Sequence, residues 1–271
     1  MEVFLFYSIP YFYGMILTET SQLPSIPRRI ISLVPSQTAL LHTLGLEEET
    51  IGITRFCIHP AAWFSGKTRI GGTKALDIET ITGLAPDLII ANKEENVKEQ
   101  VEALAAHFPV WVTDVNNYND ALQMIGDIGA LTGKTAEANA LVCSIDAAFK
   151  QWQPVDPPIP TAYLIWKNPY MTIGGDTFIS DMLLKAGFQN VFAHLKRYPE
   201  ITVEQLRQSQ CTLVLLSSEP YPFAKKHIQE LQLALPGVRI KLANGEMFSW
   251  YGSHLLKSPE SINVCIRTCC Q

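Results

Sequence analysis

Two segments of this chain carry the same features in the same order, one on either side of a stretch that contains no Gly or Pro. The first runs from Ile78 to Leu104 and the second from Val203 to Leu231. Laid over each other, they align Glu79 with Glu204, Leu88-Ile89-Ile90 with Leu213-Val214-Leu215, and Glu94 with Glu219. Each segment has an acidic residue, a short helix, a buried strand, a polar loop and a helix. The repeat predicts two related α/β lobes, although any two α/β units share part of this order.

The stretch between the segments, Lys134 to Trp152, is predicted to be one helix. Its apolar residues recur at steps of three and four: Leu141, Ile145, Ala148, Phe149 and Trp152. That spacing gives a helix one apolar face. Gly133 lies just before the helix, and Pro154 ends it. At 1.5 Å per residue the helix spans roughly 28 Å, enough to link two small lobes.

Length and composition narrow the class of protein. The chain has 271 residues, enough for two ordinary domains. Its 21 basic and 26 acidic residues include no basic run, so a nucleic-acid partner is not expected. The six cysteines form no CxxC array, which argues against a structural zinc site. Cys143 and Cys211 fall in apolar patterns and are predicted to be buried free thiols.

The N-terminal segment is not a typical secretory signal, and the C-terminal segment is unusually rich in cysteine. Val3 to Leu17 is apolar, but no basic residue precedes it and Pro10 interrupts it. It is therefore a poor secretory signal and too short to span a membrane, which leaves an envelope or a cytoplasmic location open. After Lys257 a closing helix is expected, yet SPESINVCIRTCCQ carries three cysteines and suggests an altered end.

Strands that alternate with helices predict parallel sheets, which bind ligands at the carboxyl ends of their strands. The loops at those ends carry the unusual residues Phe56, Asn92, Glu94, Trp166, Tyr170, Glu219, Trp250 and Tyr251. One such set per lobe would line a cleft, and aromatic loops suit a large flat or apolar ligand. The alternative is that these aromatic side chains pack under their own loops as core.

Candidate chemistry outside this pattern is sparse. Cys57 and His59 could share a soft metal ion if further ligands join them, but a loop His before Pro is also an ordinary surface residue. Gly71-Gly72 and Gly174-Gly175 lack the GxGxxG spacing of dinucleotide sites, so each is predicted to allow a turn or a close approach. Ser36 lacks the G-x-S-x-G elbow of hydrolases. No catalytic residue and no cofactor are predicted.

Five motifs in order resemble one family. They are RIISLVPSQTALLHTLGL, PDLIIANKEEN, MTIGGDTFISDML, RYPEITVEQL and MFSWYGSHLL. Together they resemble, from about Arg28 to Lys257, the cobalamin- and siderophore-type periplasmic binding proteins of ABC importers, which are helical-backbone metal receptors. The resemblance implies an α/β fold of two Rossmann-like lobes with parallel sheets, joined by one long helix. We expect an N-terminal lobe at residues 28–133, the connecting helix at 134–153 and a C-terminal lobe at 160–258.

The resemblance also implies roles for single residues. The family's two acids that dock on permease arginines correspond to Glu79 and Glu204, which could alternatively be ordinary first-turn helix acids. Ligand-binding positions correspond to Phe56, Asn92, Tyr170, Met171, Tyr198, Trp250 and Tyr251. Thr73 and Asn92 stand where the family's corrinoid binder has tryptophans, so they leave one wall of the cleft polar.

Two functions of different class follow. The first is a monomeric substrate-binding protein of the cell envelope, implied by the resemblance, that captures a corrinoid, haem or siderophore chelate for an ABC importer permease. The second is a cytoplasmic enzyme or carrier that acts on a tetrapyrrole-like ligand on the same scaffold, because a fold alone does not determine function.

Overall fold

The computed structural model describes residues 16–270, without the side chains of residues 268–270. The apolar segment that begins at Val3 therefore lies outside the described residues as far as residue 15. The chain divides into two compact units. The first runs to Asp114 and includes Ala130–Gly133, and the second comprises Val115–Gly129 and the chain from Lys134 onward. The lobe bounds 28–133, 134–153 and 160–258 stay predictions.

The first unit is built on a parallel sheet. Its strands are β1 (Ile16–Leu17), β2 (Ile30–Ser32), β3 (Thr50–Ile53), β4 (Thr68–Arg69), β5 (Gly71–Gly72), β6 (Ala75–Leu76), β7 (Leu88–Asn92) and β8 (Val110–Thr113), and its helices are α1 (Pro35–Thr43), α2 (Ala61–Gly66), α3 (Ile78–Leu84) and α4 (Lys98–Ala105). Six strands form the sheet in the order β1-β8-β7-β2-β3-β4, with every neighbouring pair parallel. The pair β5-β6 is a separate antiparallel hairpin.

Central strands of this sheet are apolar along their whole length. Ile30 and Ile31 of β2 and Ile89 and Ile90 of β7 are fully buried. A strand covered on both faces reads as a continuous apolar run, because neither face meets water. The polar residues that could serve a ligand are therefore found where the strands end.

The second unit begins with two helices and continues into a second parallel sheet. Its helices are α5 (Tyr118–Leu131), α6 (Thr135–Gln151), α7 (Phe178–Lys185), α8 (Val203–Gln208), α9 (Lys225–Ala234), α10 (Glu246–Ser249) and α11 (Ser258–Cys270), and its strands are β9 (Ile159–Leu164), β10 (Tyr170–Met171), β11 (Phe188–Asn190), β12 (Glu200–Ile201), β13 (Leu213–Ser217) and β14 (Arg239–Ala243). The last two residues of α5, Ala130 and Leu131, belong to the first unit. The sheet has the order β11-β9-β13-β14, and all three pairs are parallel.

The repeated order predicted from the sequence is present in both units. Glu79 is the second residue of α3, and Glu204 is the second residue of α8. β7 and β13 begin at Leu88 and Leu213, which the sequence aligns, and each strand has five residues. β7 lies between β2 and β8, and β13 lies between β9 and β14. Two α/β units with parallel sheets confirm the predicted fold class.

The helix predicted for Lys134 to Trp152 is present as α6, with 17 residues. Its buried face contains Ala138, Leu141 and Ile145, and Trp152 is also buried just after the helix. No helix within residues 16–270 combines the length and apolar character needed to cross a lipid bilayer.

One predicted buried thiol is exposed. Cys143 lies on α6 but is exposed, whereas Cys211 is buried as predicted. Cys143 is two residues, or about 200° of helix rotation, beyond Leu141, so it faces away from the apolar side. The prediction for Cys143 was wrong because it followed the apolar composition rather than the helical period.

The end of the described chain is helical. A closing helix is expected after Lys257, and α11 covers Ser258–Cys270. The altered end that the cysteines suggest stays a prediction. Ile262 and Ile266 are one helical turn apart, and Ile262 is fully buried. Asn263 Oδ1 accepts a hydrogen bond of 2.9 Å from Trp152 Nε1, which ties α11 to the end of α6.

Candidate ligand-binding site

A two-stranded ribbon in the second unit brings three of the predicted ligand-binding residues together. β10 pairs antiparallel with β12, which places Met171 opposite Glu200. The pairing continues beyond β10, because Thr172 N donates a hydrogen bond of 3.0 Å to Pro199 O. The ribbon carries Tyr170, Met171 and Tyr198, each half-buried. Each of these side chains is partly open to solvent.

Two glycines allow the ribbon to extend further. A Cβ on Gly174 would lie 2.5 Å from Leu195 O, and one on Gly175 would lie 2.3 Å from Ala193 O. Only a residue without a side chain permits that approach. Thr177 Oγ1 then accepts a hydrogen bond from Ser180 N and caps α7. The close approach predicted for this glycine pair is confirmed.

A cavity of about 780 Å³ lies beside the extended ribbon within the second unit. Its walls carry both signs of charge, including Asp176, Lys196 and Arg197. Arg197 N donates to Asp176 Oδ1 at 2.6 Å, and Arg197 Nη1 donates to Asn116 Oδ1 at 2.9 Å. The volume lies in the range of small-molecule sites. The charged and polar side chains in these walls can pair with hydrogen-bonding groups of a ligand.

Tyr170 is a neutral phenol in this setting. Burial raises its pKa, and the nearby Lys167 ammonium opposes that shift only in part. Lys167 itself forms an ion pair with Glu230 of α9. At physiological pH the Tyr170 hydroxyl can therefore donate or accept a hydrogen bond without carrying charge.

Trp250 and Tyr251, predicted to contact ligand, are part of the core. Their exposed fractions are 8% and 6%. Trp250 Nε1 donates a hydrogen bond of 3.0 Å to Glu219 Oε1, and Tyr251 packs edge-to-face on Phe178 with ring centroids 5.6 Å apart. The structure does not bring these two rings to the surface with Tyr170. It favours the alternative that they pack under their own loop.

Asn92 organises a loop in the first unit. It is the last residue of β7 and is 3% exposed. Its Oδ1 accepts hydrogen bonds from Glu94 N (2.9 Å) and Glu95 N (3.1 Å), and its Nδ2 donates to the carbonyl oxygen and Oγ1 of Thr113. Thr113 ends the neighbouring β8. The Asn92 amide thus holds the loop after β7 against the end of β8.

The loop after β3 exposes Phe56 to solvent but buries Cys57, one residue of the predicted metal pair. Phe56 is 50% exposed, and the Arg55 guanidinium lies 5.2 Å from its ring centroid. Cys57 is fully buried, and its Sγ lies 3.1 Å from the hydroxyls of Thr38 and Thr54. His59 is exposed. Among the described residues no group of three or more His, Cys, Asp and Glu side chains could hold a metal ion. Metal binding by Cys57 and His59 stays a prediction.

The cysteines should differ sharply in reactivity. Burial raises the pKa of the Cys57 thiol and of the Cys211 thiol, and a thiol must lose its proton to react or to bind a metal. We expect iodoacetamide at pH 8 to alkylate the exposed Cys143 in the folded protein, and to reach Cys57 and Cys211 only after denaturation. Peptide mass spectrometry measures each site, and Cys143→Ser is the control. Labelling of Cys57 as fast as Cys143 in the folded protein would contradict this.

The two predicted docking acids have similar local settings. Glu79 and Glu204 are both exposed, and the helices that carry them are capped by the side chains of Asp77 and Thr202. Glu204 forms an ion pair with Arg207 on the same helix. Acids at these positions favour the helix N-terminus, so their placement agrees with both the docking role and the alternative.

Trp166 was absent from the predicted set of ligand-binding residues. It follows β9 at the carboxyl edge of the sheet and forms an isolated antiparallel bridge with Met171. The sequence signal for it was present, because Trp166 ends a predicted strand at the edge where parallel sheets bind ligands.

Comparison with known proteins gives consistent matches. A family model described as periplasmic binding protein matches residues 30–238. A vitamin B12-binding protein of Pectobacterium atrosepticum is 22% identical over 249 residues, covering 88% of this chain and 88% of that protein. The structure of the periplasmic vitamin B12-binding protein of Vibrio cholerae is 20% identical with a TM-score of 0.72, covering 90% of this chain and 98% of that one. A periplasmic haem-binding protein of Pseudomonas aeruginosa is 19% identical with a TM-score of 0.73, covering 89% and 92%. Both solved structures share the fold of this chain.

Proposed function

We propose a function from one premise: this chain belongs to the periplasmic binding protein family. It captures a metal chelate, such as a corrinoid, haem or ferric siderophore, and delivers it to the permease of an ABC importer. The observation that carries the proposal is the match to a vitamin B12-binding protein over 88% of both chains. Solved vitamin B12 and haem binders with the same fold support it. All of these relatives are binding proteins, which favours binding over an enzyme on the same scaffold.

The proposed ligand contacts are the predicted residues that are open to solvent. Tyr170, Met171 and Tyr198 share one ribbon of the second unit, and Phe56 is half exposed on the first. Each presents an aromatic or polarisable side chain, which suits a conjugated chelate. Asn92, Trp250 and Tyr251 are buried, and we propose that they hold their loops in place rather than contact the ligand.

The proposal places the protein in the periplasm or cell envelope, as a monomer with an ABC permease as partner. Glu79 and Glu204 are the proposed permease contacts, because exposed acids suit electrostatic docking without a dry interface. Nucleic acid is not among the proposed partners.

The purified chain should bind at least one metal chelate with a dissociation constant near or below about 1 μM. We would titrate it with cyanocobalamin, haemin, a ferric trihydroxamate and a ferric catecholate, and follow the fluorescence of its five tryptophans. Metal-free porphyrin and iron-free siderophore serve as matched controls. Saturable binding of none of the chelates, with binding of a free metal ion or a sugar instead, would overturn the proposal.

A further inference from the structure

Trp166 is an open indole at the carboxyl end of β9. Its exposed fraction is 39%, against 8% for Trp250. Of the Trp, Tyr and Phe side chains that the structure describes in the second unit, only Trp166 is exposed. The carboxyl edge of a parallel sheet is where such sheets bind ligands, so this exposed indole stands at a ligand-binding position of the fold.

The backbone of Trp166 is fixed to the ribbon that carries Tyr170 and Met171. Met171 N donates a hydrogen bond of 3.1 Å to Trp166 O, and Ile165 N donates one of 3.0 Å to Met171 O. The next residue, Lys167, is held by its ion pair with Glu230. The indole is therefore attached to a stretch of chain that is anchored on both sides.

The Trp166 ring is also supported from one direction by an aromatic cluster. It meets Tyr221 with ring centroids 5.6 Å apart and an interplanar angle of 71°. Tyr221 in turn contacts Phe223 and His227, with ring centroids at 4.8 and 5.5 Å. In an edge-to-face pair, Tyr221 can cover at most one face of the indole. The indole is 39% exposed, and because its backbone is anchored, the ring loses little freedom when a ligand stacks on it.

We propose that Trp166 is the residue on which the second unit stacks a planar, conjugated metal chelate, such as a tetrapyrrole. The inference rests on the proposed function and narrows its ligand class. A flat π system gains stacking energy on an open indole, whereas a ferric trihydroxamate has no flat π face to offer. The neutral Tyr170, and Asp176, Lys196 and Arg197 in the wall of the cavity beside the ribbon, offer hydrogen-bonding groups to the edge of such a ring.

The test compares Trp166→Ala and Trp166→Phe with the wild-type chain, with haemin, cyanocobalamin and a ferric trihydroxamate as probes. Calorimetry gives each dissociation constant, and circular dichroism confirms that each variant is folded. We expect Trp166→Ala to weaken binding of the planar chelate by about tenfold or more, and Trp166→Phe by about threefold or less, because Phe keeps a stacking ring. Phe64→Ala is the matched control, because Phe64 is 40% exposed on α2 and should leave the affinity unchanged.

The outcomes separate this inference from the proposed function. If the wild type binds a planar chelate and Trp166→Ala binds it equally well, Trp166 is not the stacking residue, while the proposed function stands. The same holds if only the trihydroxamate binds, or if Trp166→Ala weakens planar and non-planar chelates equally. If the wild type binds none of the three probes or a ferric catecholate, both the inference and the proposed function are wrong.

Discussion

Reversing both Glu79 and Glu204 to Lys should abolish delivery to the importer and leave ligand affinity unchanged. Both acids are exposed second residues of short, capped helices, at corresponding positions of the two units. If they meet arginines on a permease, each substitution replaces an attraction by a like-charge contact that costs several kcal/mol. Transport in a reconstituted importer should therefore fall by at least about a hundredfold, because each 1.4 kcal/mol is a factor of ten.

A matched control separates docking from helix stability. Glu99 is also an exposed acid in the first turn of a helix, α4, so Glu99→Lys disturbs the same kind of helix N-terminus. We expect Glu99→Lys to transport at close to the wild-type rate. An equal loss with Glu99→Lys would show that the helix ends matter rather than the docking acids. Loss of ligand binding by a folded double variant would also contradict the docking role.

The fold could be predicted because the sequence features that determine it, apolar runs and helical spacing, are local or occur in both repeated segments. The apolar runs at Leu88 and Leu213 stand at corresponding places in the repeat, and each became a central strand buried on both faces. The helical spacing from Leu141 to Trp152 predicted α6 to within a residue at each end. Both features are spacings of apolar residues over a few positions, so they can be read directly from the sequence.

The exposure of single side chains could not be predicted in the same way. Trp166 follows β9 and Trp250 follows the short helix α10 after β14, yet Trp250 is buried and Trp166 is exposed. The difference depends on partners far away in the sequence, because Trp250 reaches Glu219 while Trp166 meets Tyr221. Such pairings follow from how elements pack, which no local pattern encodes. By contrast, the close approach predicted for Gly71-Gly72 is present, because a Cβ on Gly71 would lie 2.5 Å from Ala75 O.

Replacing Trp250 by Ala should destabilise the protein rather than remove a ligand contact. The indole is 8% exposed, lies 4.6 Å from the ring centroid of His254 and donates a hydrogen bond to Glu219. Buried Trp→Ala changes typically lower the free energy of unfolding by about 3–5 kcal/mol, because they leave a cavity. The lost donor adds to this, since Glu219 Oε1 also loses one of its hydrogen bonds.

Urea denaturation followed by far-ultraviolet circular dichroism measures this loss, with Trp166→Ala as the matched control. Trp166 is 39% exposed and meets Tyr221, so its removal should lower the free energy of unfolding by about 0.5–1.5 kcal/mol, well below the loss for Trp250, while weakening binding of a planar chelate. Trp250→Ala should show the opposite pair of effects: a large loss of stability, and near wild-type affinity in the fraction that is folded. An unchanged unfolding midpoint together with tenfold weaker binding in Trp250→Ala would instead restore Trp250 as a ligand-stacking residue. Comparing the two variants therefore tests whether the ligand-binding tryptophan is the exposed Trp166 or the buried Trp250 of the aromatic motif.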